Sequence, residues 1–117
     1  MILIASQNTG LREAQADSLI AGGFEVAEVV STDEALSYLE SRRDIRLTIT
    51  DIDMPGCFSG LGLARFIYRR WQHIQIIILG WPVGPTPSLP PTAGFLGQPC
   101  SPGVLLEEVR RRLSTSE

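Results

Sequence analysis

The chain has 117 residues, of which 44% are hydrophobic and 20% charged, and its formal net charge is −3. That balance suits one soluble globular domain over residues 1–117 and gives no electrostatic support for generic nucleic-acid binding. No apolar run approaches the ~18 residues of a membrane span, and Cys57 and Cys100 are too few for a disulfide framework, so free thiols and a cytoplasmic location are expected.

In chain order, Ile2-Leu3-Ile4-Ala5 is an apolar run that suits a buried strand, with Ser6-Gln7-Asn8 as its exit loop. A helix is predicted from about Gly10 to Ala21, burying Ala16, Leu19 and Ile20 and stopped by Gly22-Gly23. Phe24 to Val30, rich in β-branched residues, reads as a second strand. Ser31-x-x-Glu34 is a capping box that opens a helix to about Glu40, with Ala35 and Leu39 inward. Leu47 and Ile49 alternate with Thr48 and Thr50 in a third strand that delivers the acid Asp51, and Pro55-Gly56 then turns the chain.

After Gly60, residues Leu63, Phe66, Ile67 and Trp71 keep helical spacing to about Gln72. Ile74 to Leu79 is the most apolar strand, as expected near the middle of a parallel sheet. From Trp81 to Ala93 the chain carries Pro82, Pro85, Pro87, Pro90 and Pro91, a density that excludes an ordinary helix. Phe95-Leu96 marks a last short strand. Ser101-Pro102 caps a final helix that buries Leu105, Leu106, Val109 and Leu113. Its outer face pairs Glu107 with Arg111 and Glu108 with Arg112, and reads as solvated. Five strands alternating with helices imply a parallel sheet with right-handed crossovers.

Asp51 therefore stands at the carboxyl edge of an open α/β sheet, where ligands and chemistry collect. Asp51-x-x-Met54-Pro55 with Gly60, Gly22-Gly23-Phe24 before the second strand and Pro99 after the fifth together resemble bacterial two-component response-regulator receiver domains. The resemblance runs from Ile2 to Leu113. It implies a doubly wound, flavodoxin-like five-stranded sheet of order 2-1-3-4-5, with helix four shortened or replaced by the proline-rich loop. It makes Asp51 the phospho-acceptor position and Phe95 the switch-aromatic position. It also implies a phosphorelay role, with a histidine kinase or other signalling protein as partner.

The chain departs from the receiver pattern at the positions that assist phosphorylation. Receivers place two acids after strand one to bind Mg²⁺ with the acceptor, a hydroxyl after strand four and a Lys after strand five. Here Ser6 and Gln7 stand for the acids, Gly80 for the hydroxyl and Gln98 for the Lys. Asp53 takes the place that lends a backbone carbonyl to the metal. Phosphoryl transfer to a carboxylate brings anions together, so positioned cations and donors are required. An atypical receiver is expected, with Mg²⁺ weak or absent and no other cofactor, acting through protein contact or as a homodimer because no output segment follows Leu113. Asp51 is alternatively a working acceptor, as in a conventional receiver, or an acid capping the next turn. Asp53 reads as turn chemistry, Phe95 as a fixed core aromatic and His73 as surface, while Trp81 reads equally as a cover over the site or a packed loop residue. Asp51-x-Asp53 also resembles the nucleophile motif of haloacid-dehalogenase-type phosphohydrolases. The chain contains no Lys and has Pro55 where that motif has Thr or Val, so no enzyme is expected.

Overall fold

The computed structural model describes residues 1–81, 84 and 88–114. Among them the chain forms β1 (Ile2–Ala5), α1 (Thr9–Ala21), β2 (Val26–Val29), α2 (Thr32–Ser41), β3 (Leu47–Asp51), α3 (Gly60–Arg70), β4 (Gln75–Gly80), β5 (Ala93–Gly97) and α4 (Pro102–Ser114). The strands form one parallel sheet of order β2-β1-β3-β4-β5, the doubly wound arrangement expected.

Register explains the core. Ile4, Ile49 and Ile77 lie side by side on one face and pack against Ala16 and Leu19 of α1 and Leu105 and Val109 of α4. The opposite face carries Leu3, Ala5, Ile76 and Ile78 under Ala35 and Leu39 of α2 and Leu63, Ala64 and Ile67 of α3. Because β3 is central, its alternation does not mark a solvent face. Thr48 and Thr50 are as buried as Leu47 and Ile49. Both faces of an inner parallel strand are covered by helices, which removes the usual meaning of an apolar-polar alternation.

Three local expectations change. On α1, Ile20 is exposed and Gln15 is buried instead, because the stripe pressed between the sheet and α4 is narrow and centred on Ala16 and Leu19. At the start of α2, Ser31 accepts from the Glu34 N–H, but the Glu34 carboxylate reaches the N–H of Val30 rather than of Ser31. On α4, Arg112 is not solvated. Its guanidinium lies over Gly94 of β5, donating to Gln75 and to the Thr92 carbonyl as well as to Glu108. Arg111 pairs with Glu108 three positions before it, one residue short of the spacing predicted.

The crossover from β4 to β5 has no helix among its described residues. Pro82, Pro85 and Pro87 lie outside the described residues. The part nearest β5 is held down by Leu89, which packs on the α2–α3 side of the core, and by Arg65 of α3 donating to the Ser88 carbonyl.

Candidate functional site

Asp51 ends β3 with its side chain at the carboxyl edge of the sheet, half-buried. The hydroxyl of Ser6, at the adjacent β1 edge, donates to its Oδ2 at 2.7 Å. Ser6 is itself fully buried and accepts from the Asn8 N–H, so its hydroxyl proton is directed at the acid. Arg12 fixes the same loop from outside, donating to the Ser6 carbonyl while its Nε is spent on Glu28. Burial holds the Asp51 carboxyl above the usual aspartate range, the Ser6 bond opposes this, and the charge of Asp53 adds to it.

Gly60 and Thr32 shape the loop after Asp51. A Cβ on Gly60 would fall 1.8 Å from the Asp51 carbonyl oxygen, so only glycine lets α3 start against the end of β3. Thr32, fully buried at the start of α2, accepts from the Phe58 N–H and donates to the Phe58 carbonyl, pinning the Pro55–Phe58 turn. Thr32 lies inside the capping signal, but nothing local announces that it reaches a loop 26 positions away.

Across the site, Gly80 ends β4 and its carbonyl accepts from the Gln98 N–H at 2.7 Å, just before a cis Gln98–Pro99 bond. Gly80 leaves room that Phe95 fills. A Cβ there would stand 3.1 and 3.3 Å from Phe95 ring carbons and 2.9 Å from the Ile52 side chain. Asn8, Asp51, Asp53, Gly80, Trp81 and Gln98 all line one cavity of about 280 Å³, whose other walls include Leu11, Ile52 and Leu79. The structure thus gathers Asp51, Asp53, Gly80 and Gln98, with Ser6 bonded to the acceptor and Phe95 behind Gly80. Gln7 is exposed and does not line the cavity, whereas its neighbour Asn8 does, while its Oδ1 caps α1 by accepting from Leu11. Trp81 stands at the rim, 64% exposed. His73 is exposed and belongs to another part of the surface, and both thiols are free, Cys57 exposed and Cys100 buried.

The acidic groups of the cavity are Asp51 and Asp53, and its amide side chains are those of Asn8 and Gln98. Among the described residues no three of His, Cys, Asp and Glu converge, and one Asp51 oxygen already accepts a hydroxyl proton. Mg²⁺ takes carboxylate oxygens and retained waters in near-octahedral geometry, and here two carboxylates, one of them exposed, face neutral amides.

The family model described as response regulator receiver domain matches residues 2–82. The response regulator protein FleR of Pseudomonas aeruginosa is 35% identical over 78 residues, which are 67% of this chain and 16% of that protein. The chain thus spans less than a fifth of that relative. The chemotaxis response regulator CheY4 of Vibrio cholerae superposes with a TM-score of 0.84 at 21% identity, covering 95% of this chain and 96% of that one. The receiver domain of the hybrid histidine kinase CckA gives a TM-score of 0.81 at 26% identity, covering 96% and 97%. Among the described residues no helix is long and apolar enough to cross a membrane.

Proposed function

The chain belongs to the response regulator receiver domain family of two-component signalling, and from that premise we propose that it is an atypical receiver. In this reading phosphorylation of Asp51 is impaired and the output is a protein contact that does not wait for it. Receivers are signalling modules that interact with histidine kinases and other signalling proteins, so a partner of that kind is proposed here too, with a homodimer as the alternative form of contact.

The observation that carries this reading is the Ser6–Asp51 hydrogen bond where the family has a metal-binding acid. A serine hydroxyl supplies a donor but no charge. The approaching phosphoryl group would meet Asp51 and Asp53 with no metal site and, in a chain without Lys, no ammonium group. Charged hydrogen bonds to such a group contribute about 1.5–3 kcal/mol each, so losing two or three slows the transfer by several orders of magnitude. Phe95 adds support. Its ring already occupies the space beside Gly80, so no hydroxyl remains there to move and let the ring swing.

The test is labelling by acetyl phosphate with Mg²⁺, read on phosphate-affinity gels. Labelling is expected to stay below a few per cent in the time a receiver with its full acid set is saturated, and Ser6→Asp combined with Gln98→Lys should raise it at least tenfold. Stoichiometric labelling of the wild type within minutes would establish the conventional reading, in which Asp51 works as acceptor without those aids.

A further inference from the structure

At the opposite edge of the sheet from Asp51, the segment after α2 and the segment after α3 meet. Arg42, Arg43 and Ile45 from the first and Trp71, His73 and Ile74 from the second enclose a cavity of about 250 Å³. Ile45 and Ile74 are buried and give it an apolar floor.

The charges around it are unevenly matched. Arg42 holds Asp44 with two hydrogen bonds of 2.9 and 2.8 Å, and Arg70 holds Glu40 at 3.2 Å while lying 4.8 Å over the Trp71 ring. Both local acids are thus taken. Arg43 and His73 are exposed and have no ion pair or hydrogen bond among the described residues. Basic residues in the last turn of a helix complement its dipole and need no ligand, which accounts for Arg69 and Arg70. Arg43 and His73 lie beyond the ends of α2 and α3, so that explanation does not reach them. Arg43 thus leaves one unmatched positive charge at this rim, on a protein whose net charge is −3.

We propose that this cavity binds a small planar anion: one aromatic or heterocyclic ring bearing one phosphate or carboxylate, the ring against Trp71 and the charge on Arg43 and His73. The volume sits just below the roughly 300–1,000 Å³ of drug-sized ligand sites, which restricts the occupant to about one ring system and one charged group. A guanidinium offers a two-pronged donor fork to either phosphate or carboxylate, and an imidazole N–H supplies a further donor. An indole wall favours a flat partner over a bare inorganic anion. This site is independent of the chemistry at Asp51.

The experiment uses the full chain carrying Trp81→Phe, which leaves Trp71 as its single tryptophan reporter. It is titrated with AMP and with benzoate as ring anions, and with adenosine and inorganic phosphate as the separated halves. Saturable quenching is expected for at least one ring anion, at least tenfold tighter than for adenosine or phosphate. AMP against adenosine reads the contribution of a phosphate, and benzoate tests whether a carboxylate on a ring is accepted. The Arg43→Gln/His73→Gln variant should bind at least fivefold more weakly, Arg43→Lys should recover part of the loss, and Asp51→Asn should bind as the parent does. The proposal is overturned if neither ring anion saturates at about 10 mM, a concentration that would reveal even millimolar binding. It is equally overturned if phosphate alone binds as well as AMP, or if the double variant, folded with an unchanged unfolding midpoint, binds like the parent.

Discussion

At Asp51 two effects oppose each other, and burial wins: the carboxyl is harder to ionise in the fold than in the unfolded chain, despite the Ser6 hydroxyl that favours the anion. The consequence for stability has a definite sign. A folded-state value raised above the unfolded ~3.9 means that the folded protein binds the proton more tightly, so stability falls as pH rises through the interval between the two values. The ionised acid is then a net cost at pH 7. Asp51→Asn removes that cost and keeps an oxygen for the Ser6 hydroxyl. It should raise the thermal midpoint at pH 7, with the gain shrinking as pH falls through the folded value and gone at about pH 3. Calorimetric scans at both pH values check this, and an equal or larger gain in acid would contradict it.

At the scale of the element, β3 shows what a central strand does to its polar residues. Thr48 is fully buried between β1 and β4, and its hydroxyl has no hydrogen-bond partner among the described residues. Thr50, two positions on, escapes this by donating to the carbonyl of Asp51. An unsatisfied buried hydroxyl costs about 1–3 kcal/mol, and valine has nearly the same shape. Thr48→Val should therefore stabilise the protein by about 1 kcal/mol in denaturant unfolding with an unchanged slope, and a loss of stability would show that the hydroxyl is bonded. Thr50→Val is expected to have the opposite sign. The last strand shows the converse arrangement. Gly94 gives β5 a bare stretch, and Arg112 from α4 lies across it with its donors directed to Gln75, Thr92 and Glu108, so a charged residue does the covering.

For the whole molecule, a receiver signals by shifting between two arrangements of the face built from helix four, strand five and the last helix. A ligand shifts such an equilibrium only by its differential affinity for the two states. In the proposed reading Gly80 and Gln98 stand where the groups that create the difference would be, while Phe95 is packed beside Gly80 and the described part of the β4–β5 crossover is held by Leu89 and Arg65 instead of a helix. Amide NMR spectra recorded before and after acetyl phosphate with Mg²⁺ should therefore show changes no further than the residues lining the Asp51 cavity. A coherent set of shifts through β5 and α4, scaling with phosphodonor, would show that the molecule still switches.

The sequence by itself determined the fold. Apolar runs, helical spacing, capping residues and glycine-proline punctuation are local signals, and they placed the strands and helices within a few residues and put Asp51 at a strand end. It also raised the expectation of an atypical site, because the absence of Lys and the Ser after the first strand need no coordinates to be noticed. Tertiary structure decided the rest, for reasons of packing between distant segments. That Ser6 donates to Asp51, that Thr32 holds the turn before α3, that Gly60 must be glycine and that Phe95 fills the space at Gly80 are all facts about residues 9 to 45 positions apart. The solvated appearance of Arg112 and the buried appearance of Ile20 misled for the same reason: periodicity says which residues share a face, and only the neighbours packed on that face decide whether it is covered.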